Sequence, residues 1–192
     1  MDLFQRLAGE HRRIESVTRA VDAFADAIER GAEPDVHELF RFVTFFAAYS
    51  SGYHHEFEET VLFPTLALCG FALDSGPLGD LHDQHREQAR LLCSLEMTAA
   101  TRRPWSAATE RAIAAAAHEL ASFERAHMTM ELHLLFPVAQ NELLLEHAAE
   151  LERAVRRFEA RRAVRWNVEW LERLGEELSS HASAGQDATA AV

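Results

Sequence analysis

The sequence predicts an all-α protein: an up-down-up-down four-helix bundle with an additional C-terminal helical extension. Three observations carry this. Gly and Pro are few, 8 and 5 in 192 residues, and they gather at Gly31–Pro34, Gly70–Gly79 and Arg102–Ser106. Between these points the chain is rich in Ala, Leu, Glu and Arg, which favour helix. Its apolar residues recur at helical spacing, and strand-like alternation is absent.

The elements follow in order. The first helix is expected over about 2–30, with Leu3, Leu7, Ile14, Val21 and Ile28 on one stripe. The second, over 34–68, starts with Pro34 in its first turn and carries Phe40, Val43, Ala47 and Leu62. The third, over 77–101, carries Leu78, Leu81, Ala89 and Leu92. The fourth, over 106–136, has Ser106 as its N-cap and Ile113, Ala116, Leu120, Phe123 and Leu134 on its stripe. Short loops between long amphipathic helices make neighbours antiparallel. These helices form an expected unit at 1–140. An extension at 141–180 repeats the pattern with Leu151, Val155, Phe158, Val164, Val168, Leu171, Leu174 and Leu178. Trp166 and Trp170 lie beside that stripe, and two readings stay open for it: packing back on the bundle, or a homodimer contact. Residues 181–192 are small and polar, as in a disordered tail.

Composition narrows the partners. Nineteen basic residues, all Arg, stand against 31 acidic ones, for a formal net charge of −12. That balance argues against nucleic acid and against an anionic membrane surface. Cys69 and Cys93 form no C-x-x-C pair, so a thiolate zinc site is not expected, and Cys93 reads as a small core residue. No apolar run reaches membrane-spanning length, and the N-terminus lacks a signal-peptide core. A soluble, cytoplasmic protein is the expectation. The 11 histidines are the anomaly.

Several of them interrupt the core stripes. His11 falls between Leu7 and Ile14, His54 and Glu58 lead towards Leu62, His85 follows Leu81, and His127 and Glu131 sit between Phe123 and Leu134. A lone inward His is more often a satisfied core residue, but here each helix aims at least one ligand-type side chain inward. Buried carboxylates need compensating cations. Residues at i and i+4 share a helix face, so His54 with Glu58, and His127 with Glu131, each present an imidazole and a carboxylate to one centre. His11 and His54 are equidistant from the middle of the first loop. His85 and His127 are nearly so from the third loop, so the six side chains fall in one layer. His82, which shares a more polar face with Cys93 and Glu96, is the rival of His85. His55 and Glu59 are expected to point about a hundred degrees from the ligands, as surface or supporting residues, since helical neighbours are offset by about that angle. His133 has the same status. Tyr49 and Tyr53 read first as core packing.

An internal repeat links the halves. HHEFEETVLFP (54–64) and HMTMELHLLFP (127–137) share His-x3-Glu-x3-Leu-Phe-Pro, and the upstream His lies 43 residues before His54 and 42 before His127. Four His and two Glu in pseudo-twofold arrangement suit two metal ions bridged by carboxylates. A ferritin-like Glu-x-x-His reading is discounted, because its one instance, Glu124 to His127, places Glu124 off the stripe.

With these residues in view, the sequence resembles the hemerythrin-like, or HHE cation-binding, family over roughly residues 3–140. The resemblance implies a non-haem di-iron centre held by His11, His54, Glu58, His85, His127 and Glu131, with two iron ions bridged by carboxylate and an oxo or hydroxo group. It further implies a protein that binds or reacts with O2, peroxide or NO. Respiratory members use five His and two carboxylates. This chain is more similar to bacterial and regulatory members with four His and two Glu. The alternatives are an iron sensor or donor, as in iron–sulfur repair, and a metal-stapled interaction bundle.

Overall fold

The computed structural model describes residues 3–165 and 167–189, and among these there is no strand. Six helices follow one another. They are α1 (Leu3–Glu29), α2 (36–68), α3 (Gly76–Ala99), α4 (107–146), α5 (Ala148–Arg165) and α6 (Val168–Thr189). The loops fall where Gly and Pro cluster. Gly31 closes α1 at φ +94°, a left-handed conformation that costs glycine no Cβ clash. The Asp35 side chain caps α2 by accepting from the His37 N–H, so Pro34 lies just before the helix rather than in its first turn. Ser106 caps α4 as expected, accepting from the Thr109 N–H.

Contacts along the helices run in opposite directions. His11 meets His54 near one end of the α1–α2 pair, and Phe24 meets Phe42 near the other. Glu59 reaches His85 across α2–α3, while Ser51 reaches Gln88. Gln84 meets His127 and Gln88 meets Glu124 across α3–α4. Phe4 packs on Phe136, and Asp22 pairs with Arg125, so α4 also runs antiparallel to α1. The four helices therefore alternate in direction around one core, whose largest fully buried side chains include Tyr49, Phe42, Phe45, Phe46, Phe57 and Phe63.

Two of these helices change pitch at the centre of the bundle. In α2, residues Phe46–His55 and Glu58–Leu62 are π-helical, and in α4 so are Glu131–Leu135. The Phe63 N–H bonds to the Glu58 carbonyl and the Phe136 N–H to that of Glu131, each five residues back. The repeat explains both. Pro64 and Pro137 have no N–H to donate, and each ring would strike the carbonyl four residues earlier, so the helix widens just upstream. The longer π segment of α2 has Ser50, Ser51 and Gly52, weak helix formers, at its middle.

The interior stripes differ in part from those expected. In α2 the buried face passes through Phe46, Tyr49, Ser50, Tyr53 and His54, and Ala47 is exposed. In α3, Gln88 takes the interior position expected of Ala89, and Cys93 is exposed rather than in the core. In α4 the stripe runs through Leu120, Glu124, His127, Glu131 and Leu135, leaving Leu134 exposed.

Beyond the bundle, α5 packs on the second π segment of α2, and α6 lies across α1 and α2. The stripe of Leu171, Leu174 and Leu178 is buried against the bundle, so it packs back on its own chain. A homodimer through α6 would use its outer face, where Trp170 is 47 % exposed. Trp166 lies outside the described residues. The backbone of α6 is helical through Thr189, over most of the segment expected as a tail; residues 190–192 lie outside the described residues. No helix among the described residues is long and apolar enough to cross a membrane.

Candidate metal centre

The centre is built at the level of the π segments. His54 and Glu58 come from α2, His11 from α1, His85 from α3, and His127 and Glu131 from α4; all six are buried. They fall into two groups whose ligand-type atoms lie within 4.8 Å of one another. One comprises His11, His54, Glu58 and Glu131, and the other His55, Glu58, His85 and His127. His82 is in neither; its ring faces the Leu73 carbonyl.

His55 corrects the sequence reading. Its expected outward direction assumed an α-helix. In the π-helical segment the turn is wider, so His54 and His55 both point inward, and His55 is only 3 % exposed. Its ring stacks on His85 with centroids 3.9 Å apart, and neither of its ring nitrogens has a hydrogen-bond partner. The two groups together therefore comprise five His and two Glu, where the sequence reading had four and two. Glu124 is also corrected. It lies inside at 1 % exposure, held by the Gln88 amide, because the α4 stripe passes through it rather than through Phe123.

Each carboxylate faces both groups. Glu58 Oε1 is 3.6 Å from His54 Nε2, and its Oε2 is 3.5 Å from His85 Nε2. Glu131 Oε2 is 3.1 Å from His11 Nε2, and its Oε1 is 3.3 Å from His127 Nε2. His11 Nε2 and His54 Nε2 are 2.9 Å apart. Two donors about 2.1 Å from one ion stand about 3.0 Å apart at a right angle and about 3.4 Å apart at a tetrahedral one. The spacings thus match edges of a coordination shell. Both Glu58 oxygens, both Glu131 oxygens and the Nε2 atoms of His85 and His127 lack hydrogen-bond partners. Buried polar atoms are normally paired, so a set of orphaned acceptors pointing at one another suits a bound cation.

The far nitrogens are held from behind. His54 Nδ1 donates to Glu10 Oε2 at 2.9 Å, His85 Nδ1 to Glu59 Oε1 at 2.8 Å, and His127 Nδ1 to Gln84 Oε1 at 2.9 Å. Such bonds fix ring orientation and leave Nε2 free to bind metal. Aromatic rings close the layer. Phe136 stacks on His11 and Phe63 on His85, so the Phe of each Leu-Phe-Pro motif covers a His of the other half. Phe123 stacks on His127.

Burial and close charges shift the groups of the centre in opposite directions. Burial raises the carboxyls of Glu58 and Glu131, and the nearby Glu131 carboxylate raises Glu58 further. Burial lowers His11 to about 3, and His55 and His127 well below the usual imidazole value. His54 and His85 go up to about 9 despite their burial, because Glu58 and their supporting carboxylates favour the imidazolium. Desolvation opposes ionisation of Glu10, yet His54 and Arg6 together hold it down at about 2.

Pseudo-twofold symmetry explains the arrangement and its breaks. Glu10 and Gln84 occupy equivalent places before His11 and His85, so a carboxylate supports His54 and a neutral amide supports His127. Glu59 holds His85, whereas its counterpart is Leu132, and His11 Nδ1 is unpartnered. The counterpart of His55 is Met128, also buried, which cannot supply a third imidazole.

Sequence reasoning missed Glu10, His55 and Glu124. The Arg6–Glu10 pair at i,i+4 beside His11 was a signal for the first, and adjacent histidines upstream of Glu58 for the second. Glu124 sits four residues after Leu120, a position the 3.6-residue period already marks as interior.

No curated protein and no solved structure matches the chain significantly. The family model described as the Hemerythrin HHE cation binding domain matches residues 2–139, which include every residue of both groups. The chain therefore belongs to the hemerythrin HHE cation-binding domain family.

Proposed function

We propose that the centre holds two iron ions. His11 and His54 would hold one, His55, His85 and His127 would hold the other, and Glu58 and Glu131 would serve both. In this reading the protein binds or reacts with a small oxygen species: O2, peroxide or NO. One observation carries the proposal, the unequal count of imidazoles. With both bridging carboxylates counted, the first ion receives four protein donors and the second five. In a six-coordinate shell the first therefore has one more position to offer a small ligand. The iron pair, when bound, supplies the redox chemistry. The protein's own part is to orient the imidazoles through Glu10, Glu59 and Gln84 and to exclude bulk water with Phe63, Phe123 and Phe136.

Metal analysis and an absorption spectrum of the purified protein test this. About two irons per chain and charge-transfer bands that respond to O2, peroxide or NO support it. Absence of bound iron, or bands indifferent to all three ligands, refutes it. Iron lost readily to a chelator and passed to an acceptor would favour an iron donor instead.

A further inference from the structure

Beyond residue 139, where the family match ends, α5 returns to the centre. Arg6 stands at the junction. Its Nε donates to Glu10 Oε1 at 2.8 Å, its Nη2 donates to the Tyr53 hydroxyl at 2.9 Å, and its Nη1 pairs with Glu159 of α5. Arg162, one turn further along α5, donates through Nη1 to the same Tyr53 hydroxyl at 2.6 Å, and its Nε is 3.2 Å from Glu159. The second oxygen of Glu10 accepts from His54 Nδ1. A continuous chain of polar contacts thus runs from Glu159 and Arg162, through Arg6 and Glu10, to one of the histidines. Tyr53 is 3 % exposed and the Arg6 side chain 13 %, so little water competes at the Arg6–Glu10 end, whereas Glu159 and Arg162 are partly exposed. The chain reaches the two-His group alone; behind His127 stands the uncharged Gln84, and behind His85 stands Glu59.

We propose that the C-terminal helix α5 supplies positioning residues for the His11/His54 side of the centre: Glu159 and Arg162, acting through Arg6 and Glu10. This rests on the two-ion reading above. The physical basis is charge balance. Arg6 is shared between Glu10 and Glu159. Neutralising Glu159 leaves the guanidinium to Glu10 alone, which draws negative charge away from the Glu10–His54 hydrogen bond. His54 then becomes a weaker donor, and the ion it holds is bound less tightly. The effect is one-sided because the other three histidines that could report it have separate supports or none.

The experiment uses the full chain loaded anaerobically with Fe2+, and reads stepwise affinity together with the Mössbauer spectrum. Unequal ligand sets give the wild-type chain two distinguishable iron signals. Glu10→Gln is expected to weaken one binding step about 10- to 100-fold, the usual range for losing such a support. Glu159→Gln is expected to weaken the same step by a smaller factor, whereas Arg162→Gln, which leaves Glu159 to Arg6 alone and so frees Glu10 for His54, is expected to tighten it; both move the same iron signal. Glu59→Gln moves the other signal. Arg162→Lys, which keeps the charge, recovers most of the effect. If Glu159→Gln and Arg162→Gln, with unchanged far-UV circular dichroism, leave both signals and both affinities as in wild type, the inference is wrong while the two-ion reading stands. It is equally wrong if they move both signals together, as a general loosening of the bundle would. A wild-type chain that binds fewer than two Fe2+ overturns both.

Discussion

Glu58→Gln should change sign in its effect on stability when metal is added. The side chain is fully buried, and its two oxygens face different groups at 3.6 Å and 3.5 Å. Glutamine keeps the shape but offers one good donor oxygen, so it serves one ion and not two. A ligand at 100 times its dissociation constant stabilises a fold by about 2.7 kcal/mol per site. Losing one site should therefore lower the melting temperature of the metal-loaded protein by about 5–10 °C, at about 2–4 °C per kcal/mol for a chain of this size. The metal-free protein should respond in the other direction. There Glu58 is raised by burial and by Glu131, so an uncharged amide removes a cost, and the melting temperature should hold or rise. Calorimetry with Fe2+ and with a chelator, alongside metal analysis, measures both. The reasoning fails if the variant retains two ions, or if it lowers the melting temperature equally with and without metal.

Three further outcomes are expected. Met128→His restores the imidazole that the second half of the repeat lacks; it should keep two irons but abolish the spectral response to NO, since the free position is filled. Gly175→Ala should destabilise the chain by about 1–3 kcal/mol in urea unfolding, because a Cβ there would lie 2.8 Å from Phe45 Cε2 where α6 crosses α2. Asp22 loses some solvation on folding, but hydrogen bonds from Arg125 and His118 more than offset this and depress its pKa. Its contribution is therefore present above the unfolded carboxylate value and is lost as pH falls through the lower folded value. Asp22→Asn should flatten the acid limb of the stability curve and cost about 0.2–1 kcal/mol at neutral pH, given the exposure of the pair.

The bundle and six of the seven residues of the two groups were legible because they obey the 3.6-residue period, and because histidine and glutamate stand out on an apolar stripe. His11, His54, Glu58, His85, His127 and Glu131 all converge as that period implies. His55 was not legible by the same rule, because the rule assumes the pitch that α2 abandons. The cause was nonetheless written in the chain: Pro64 and Pro137 each force a wider turn, and Ser50-Ser51-Gly52 offers little resistance to one. Glu10 and Glu124 were hidden differently. Acidic residues read as solvated unless a buried partner is known, and their partners, His54 and Gln88, lie on other helices. The role of α5 was equally invisible, since a contact such as Glu159 with Arg6 spans most of the chain.

The adjacent histidines carry a mechanical consequence. His54 and His55 belong to different groups, yet their Cα atoms are joined by a single peptide unit of about 3.8 Å. Glu58, on the same helix, reaches both groups as well. One stretch of backbone thus acts as a ruler for the separation between the two groups. Helices α1, α3 and α4 can slide or tilt against α2, and each imidazole they carry will then tighten or loosen its own corner. The interval between the corners is set within α2 itself, so the spacing of the two groups is fixed by one stretch of backbone rather than by how the four helices pack.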